Sequence, residues 1–278
     1  MTAIVGMFST DNNLVMGADS EESGETLKRR VDKLRLFYDL RGNTMVIGGA
    51  GPSCHVDTLT ELLADDFLDK PAWKNDIELK RRFRKRLENY YKTHVLCWPS
   101  VIEREDNDFA MIMGLSSRGR KGQPHVHRLW TTDRNTLTDA FPRAAIGLGR
   151  TYAQGLMEDY RGCYSDVLVS LAVIHILQKI KRDVSNCGRD TQIWRFSNDG
   201  PCTVSGEIIH KAEEAFTRLE RVRQMQFFNV VDPEARTNEA DKRHDLHLHS
   251  EQSKIRSEFR ALASEIERDH NKGVDQFY

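Results

Sequence analysis

The sequence predicts an α+β protein in which two layered, mainly antiparallel sheets are covered by helices, and two observations carry that reading. Apolar runs come in pairs across polar turns: Ala3 to Phe8 with Leu14 to Ala18, Phe109 to Leu115 with Val126 to Thr131, and Thr191 to Phe196 with Cys202 to Val204. The order of elements is strands, helices, strands, helices, strands, helix, without the strict strand–helix alternation of a doubly wound parallel sheet.

Each element has its own signal. Ser9-Thr10-Asp11-Asn12-Asn13 joins the first two runs, so the chain enters a hairpin at once. Thr44 to Ile47 runs into Gly48-Gly49-Ala50-Gly51 and reads as a buried strand ending in a glycine corner. Leu59, Leu62, Leu63 and Phe67 recur at helical spacing, as do Phe83, Leu87, Tyr90 and Tyr91, predicting helices over Cys54 to Phe67 and Glu78 to His94. Arg143 to Gly149 is a short run. Helices follow over Thr151 to Glu158 and Ser165 to Val184, the second marked by Val167, Leu168, Leu171, Ile174, Leu177 and Ile180. Asn198-Asp199-Gly200 is a strong turn signal. From Ser205 the chain reads as charged helix, with Asn229 to Ser250, which contains Pro233, as a linker or loosely packed segment before the stripe Ile255, Phe259, Leu262 and Ile266.

Composition narrows the function classes. The 278 residues hold 41 Lys and Arg against 42 Asp and Glu, a net charge of −1, so no global positive field exists to hold a phosphate backbone or an anionic membrane. The basic cluster Lys80 to Arg86 reads as the outer face of a helix whose Phe83 points inward. Five cysteines without a CxxC pair suggest neither a disulfide framework nor a zinc ribbon, and a reducing cytoplasm fits best. No secretory signal or membrane span is expected, nor a nucleotide site at Gly147-Leu148-Gly149. His244, His247 and His249 lack the further ligands a metal needs and read as solvated.

Four segments, taken together, resemble the opening of proteasome β subunits and of the bacterial peptidase HslV. They are Thr2-Ala3-Ile4-Val5-Gly6, Leu14-Val15-Met16-Gly17-Ala18-Asp19-Ser20, Val31-Asp32-Lys33-Leu34 and Met45-Val46-Ile47-Gly48-Gly49-Ala50-Gly51. The resemblance continues through Ile146 to Gly149, Tyr152-Ala153, Arg182-Asp183 and Asp199-Gly200, over roughly residues 2 to 222. It implies a four-layer αββα N-terminal nucleophile (Ntn) hydrolase domain over residues 1–222, with a charged, mainly helical C-terminal extension over 223–278.

The implied chemistry is that of a threonine peptidase. A threonine hydroxyl needs a base, and when Thr is the first residue its own α-amine serves, with a pKa of about 7.7–8.0. Thr2 meets that condition once Met1 is removed, as a small second residue favours. By the resemblance, Lys33 sits on the adjacent strand and polarises the hydroxyl, Asp19 holds Lys33, the Gly48 N–H stabilises the oxyanion, and Asp183 joins the charge network around the amine. Ser185 or Asn186 stands where relatives place another hydroxyl. Ser20, Val31, Arg35, Val46 and Ala50 fall at substrate-pocket positions. Leu148 departs from the pattern, because many active relatives carry a serine there.

The resemblance further implies a peptide or unfolded-protein substrate, a homo-oligomeric ring, an ATPase unfoldase partner and no cofactor. The competing expectations are a non-catalytic, proteasome-like structural or regulatory subunit, which Leu148 and the extension favour, and an Ntn amidase acting on a small amide.

Overall fold

The computed structural model describes residues 2–23, 28–68, 73–97, 108–119, 124–162, 165–231 and 240–274. Two five-stranded antiparallel sheets are stacked between helical layers, the four-layer αββα arrangement expected from the sequence. The first sheet has the order β10 (Arg143–Gly147), β1 (Ala3–Phe8), β2 (Leu14–Asp19), β11 (Thr191–Ser197), β12 (Gly200–Thr203). The second runs β5 (Leu34–Tyr38), β6 (Thr44–Ala50), β7 (Ala110–Ser117), β8 (Val126–Asp133), β9 (Thr136–Asp139). A two-stranded ribbon, β3 (Glu21–Ser23) with β4 (Lys28–Arg30), lies between β2 and β5 in the chain.

The period-two geometry of a strand sorts its residues into different layers. Ile4, Leu14, Met16, Val46, Ile112, Leu129 and Phe196 fill the space between the sheets. Val5, Val15 and Ile193 face the other way, against Val169, Val173, Leu177 and Ile180 of α4 (Asp166–Asp183). On the far side, Met45, Ile47, Met111 and Met113 meet Leu59, Leu63 and Phe67 of α1 (Ser53–Leu68) and Leu79, Phe83 and Leu87 of α2 (Asp76–Tyr90). The central strands β1, β2, β6 and β7 are therefore buried on both faces, which is why they read as continuous apolar runs rather than alternating ones. Among the described residues no helix is long and apolar enough to cross a membrane.

After α3 (Arg150–Glu158) and α4, the helix α5 (Gly206–Val231) runs through residue 222, and α6 (Ala240–Val274) returns along it. Leu262 and Ile266 of α6 belong to the same core as α4, while Leu248 and Ile255 pack with Val222. Arg195 of β11, 3% exposed, clamps this return by donating to the Ile266 carbonyl at 2.9 Å and to the Asp166 carboxylate at 2.5 Å. The linker expected over Asn229 to Ser250 is corrected at both ends. Helix continues to Val231 and resumes at Ala240, with Leu248 buried; the intervening 232–239 fall outside the described residues. His247 and His249 stand exposed on α6, not on a strand, and among the described residues no three His, Cys, Asp or Glu side chains converge as a metal site.

Candidate active site

Thr2 lies at the mouth of β1, one residue before the strand begins, and is 9% exposed. In the sheet β1 sits between β10 and β2, so the two flanks of Thr2 are built by different strands. On the β2 flank, Asp19 ends its strand fully buried. One carboxylate oxygen, Oδ1, accepts both the Ala3 backbone N–H at 2.8 Å and the Lys33 ammonium at 2.9 Å. The other, Oδ2, accepts the Gly188 N–H at 3.1 Å. A buried carboxylate is tolerated only when it is paired and its lone pairs are filled, and Asp19 satisfies both conditions.

Lys33 is 6% exposed at its side chain and also donates to the Glu21 carbonyl. Its backbone N–H is held by Gln192 Oε1 at 3.0 Å, and Gln192 reaches Asp32 with its other amide atom at 2.5 Å. Lys33 does not occupy a strand next to β1, as the sequence suggested. It immediately precedes β5 of the second sheet, so the ammonium crosses from one sheet to the other to reach Asp19.

Gly48, in β6, is paired in register with Leu34 and Ile112. A Cβ there would come within 2.8 Å of Ile4 Cδ1 and Leu34 Cδ2 and 3.1 Å of the Lys33 carbonyl, so no side chain fits and Gly48 lies against the residue that carries the ammonium. On the β10 flank Gly147 holds φ +89°, a left-handed backbone that a glycine adopts at no steric cost. A Cβ at Gly147 would lie 1.9 Å from the Thr2 carbonyl oxygen and 3.4 Å from Ala50 Cβ, so Thr2, Ala50 and this turn meet at one point. The next amide, Leu148 N–H, donates to the Thr2 carbonyl at 3.1 Å, and the Leu148 side chain is half exposed.

Thr2, Asp19, Lys33, Gly48 and Ala50 thus share one corner. The other expected positions are placed differently. Ser20 is buried with its hydroxyl accepting the Asp190 N–H at 3.0 Å, in the join between β2 and β11. Val31 is half-buried, its N–H on the Ser20 carbonyl at 2.9 Å. Val46 is fully buried between the sheets. Arg35 is ion-paired with Asp57 of α1, which balances the charge expected on a pocket wall. Asp183, at the end of α4, accepts Tyr152 Oη at 2.5 Å and Arg182 Nε at 2.7 Å. Arg182, and then Tyr152, hold its carboxyl down at about 2.

Three participants carry no sequence signal that singles them out. Glu21, 6% exposed, supplies a carbonyl to Lys33, and its carboxylate lies over the Cα of Gly188. Gly188 reaches Asp19 through its backbone alone. Cys187 is buried beside them, and desolvation, reinforced by the Asp19 charge, pushes its thiol up to about 11. Ser185 and Asn186, the hydroxyl-position candidates, are exposed in the same loop, with Asn186 at φ +66°.

No family model and no curated protein sequence matches the chain. Solved structures do. Anbu (ancestral beta-subunit) from Yersinia bercovieri is similar with a TM-score of 0.64 and 14% identity, over 81% of this chain and 97% of that one. Anbu from Hyphomicrobium sp. strain MC1 is similar with a TM-score of 0.60 and 16% identity, over 81% and 96%. At such identity the likeness establishes the fold. It also corrects the resemblance read from the sequence: the structural neighbours are Anbu proteins, proteasome-like but distinct from proteasome β subunits and HslV.

Proposed function

We propose that the chain is an N-terminal threonine hydrolase that cleaves peptide bonds through Thr2 once Met1 is removed. The observation that carries this reading is the shared oxygen of Asp19, which ties the Lys33 ammonium to the amide of Ala3, the residue bonded to Thr2. A buried cation is thereby tied, through one carboxylate oxygen, to the start of β1.

In the proposed reaction the α-amine takes the Thr2 hydroxyl proton as Oγ bonds to the substrate carbonyl carbon. Lys33 lowers the cost of the developing alkoxide, and the oxyanion role of the Gly48 N–H rests on the resemblance, since Gly48 is paired with strands on both sides. The C–N bond breaks, the leaving amine carries off the proton, and water hydrolyses the Thr2 ester by the reverse sequence. Asp19 fixes Lys33 and the first turn of backbone. No step calls on a metal or organic cofactor.

With this reading go the division into a hydrolase domain over residues 1–222 and an extension over 223–278, and assembly as a homo-oligomer. The latter is supported by neighbours described as a beta-subunit. Light scattering on the purified chain tests the assembly. Intact mass before and after a peptide epoxyketone, which needs both the hydroxyl and a free α-amine, tests the chemistry. The expected result is loss of Met1 and one adduct, absent in Thr2→Ala. Retention of Met1 without an adduct would instead favour a non-catalytic subunit, a reading that the exposed leucine at position 148 supports.

A further inference from the structure

The two flanks of Thr2 differ in chemistry. The β2 flank is charged and closed: Asp19, Glu21 and Lys33 are each 6% exposed or less at the residue or side chain. The β10 flank is apolar and open: Leu148 is 53% exposed and Tyr152 37%. Isolated exposed leucines are ordinary on a protein surface. This one is not free to be elsewhere, because its N–H is bonded to the Thr2 carbonyl at 3.1 Å and Gly147 holds the turn against the same oxygen. Tyr152 lies in the first turn of α3 and is pinned through its hydroxyl by Asp183, which Arg182 holds in turn. Two exposed apolar side chains, one on the residue whose N–H holds the Thr2 carbonyl and one four residues later with its hydroxyl fixed, therefore lie on the β10 side of the chain near the proposed nucleophile.

We infer that Leu148 and Tyr152 form the contact surface for a substrate side chain flanking the scissile bond, selecting peptides with a large aliphatic or aromatic residue there. This rests on the hydrolase reading above and goes beyond it by naming the substrate class. The physical cause is the exposed leucine itself: a side chain laid over it removes apolar surface of both partners from water, whereas glycine in that place removes almost none. The polar flank offers no such surface, so the preference belongs to the residue lying on the β10 side.

The test uses the full chain and internally quenched peptides that differ only in carrying Leu or Gly at the positions flanking the cleaved bond, with Thr2→Ala as the blank. The Leu-to-Gly ratio of kcat/KM is expected to fall about tenfold in Leu148→Ala, the scale for losing one apolar contact, and further in Leu148→Lys. Leu148 is half exposed, so the thermal midpoint of both variants is expected to stay within a few degrees of the parent. An unchanged ratio in a chain whose Thr2 forms the epoxyketone adduct would overturn the role of Leu148 alone. Absence of both adduct and cleavage in the parent chain would overturn the hydrolase reading and this inference with it.

Discussion

Two networks of charge in this molecule use the same residue types and differ in what surrounds them. Around Asp19 and Lys33 the side chains are 0% and 6% exposed, and the hydrogen bonds end on backbone amides and carbonyls of three separate segments. On the outer helical layer, His175, Lys179 and Arg182 of α4 converge on Glu220 of α5, and Arg182 continues to Asp183 and Tyr152. There the Arg182 side chain is 53% exposed and Asp183 is 35% exposed, so water screens the interaction. The first network holds backbone in place at a strand terminus, while the second joins neighbouring helices that their apolar contacts already hold together. A charge cluster matters to a site by what it immobilises, not by how many ions it contains.

Removing Asp19 is the strongest way to break that comparison. Asp19→Ala removes the carboxylate that neutralises the buried Lys33 ammonium, and losing one member of such a pair typically costs about 3–5 kcal/mol. Denaturant unfolding is expected to show a loss of that size, together with loss of the epoxyketone adduct on Thr2. Because the cost is mainly that of a buried charge left unneutralised, Asp19→Ala with Lys33→Met is expected to recover part of the stability but none of the reactivity. Equal stability of the single and double variants would mean that the pair is not what holds this corner.

The same contrast explains what the sequence could disclose. Elements whose signal is apolar periodicity were legible: the β1–β2 and β7–β8 hairpins, α1, α2 and α4 all lie within a few residues of their expected spans. The ribbon β3–β4, made of Glu21-Glu22-Ser23 and Lys28-Arg29-Arg30, has no apolar alternation to betray it, and the edge strand β9 (Thr-Leu-Thr-Asp) has one apolar residue. At the site, Asp19 and Lys33 were legible only through their joint place in the resembling segments, Ala18-Asp19-Ser20 after the hairpin and Lys33 before the glycine corner, since either alone reads as a solvated surface residue. Gly188 and Glu21 were not, since each contributes through backbone atoms that any residue type possesses, and their proximity comes from the close of β2 onto β11. Lys33, expected on a strand adjacent to Thr2, instead precedes β5 of the facing sheet, because a motif gives order along the chain and not which strand it joins.

A buried titratable side chain that carries no charge at neutral pH sharpens the comparison from the opposite direction. His127 of β8 is 8% exposed, near Phe196 and His125, and among the described residues neither ring nitrogen finds a hydrogen-bond partner. Burial first, and the neighbouring His125 second, hold it down at about 4. A histidine near 6.5 when unfolded then binds its proton earlier in the unfolded chain. The unfolded state holds more protons between those values, so stability is full above about pH 6.5 and falls as pH drops toward 4. The loss approaches about 3 kcal/mol, from the shift converted at 1.36 kcal/mol per pH unit. In His127→Leu this acid limb of the stability curve is expected to flatten; an unchanged limb would assign it to the carboxylates.

The smallest expected effect belongs to the outer network. Asp183→Asn keeps the shape of the side chain and removes its charge from an exposed pair, so unfolding is expected to change by less than about 1 kcal/mol. Its consequence for reactivity distinguishes two roles. If Asp183 acts only by pinning Tyr152, Asp183→Asn and Tyr152→Phe lower selectivity for a large flanking side chain by a similar, few-fold factor and leave the pH dependence of adduct formation in place. If Asp183 belongs to the charge network of the Thr2 amine, Asp183→Asn alone moves that pH dependence downward, because removing a nearby negative charge favours the neutral amine. The hydrogen bonds of Asp183, which run to Tyr152 and Arg182 and not to the Asp19 corner, favour the first outcome.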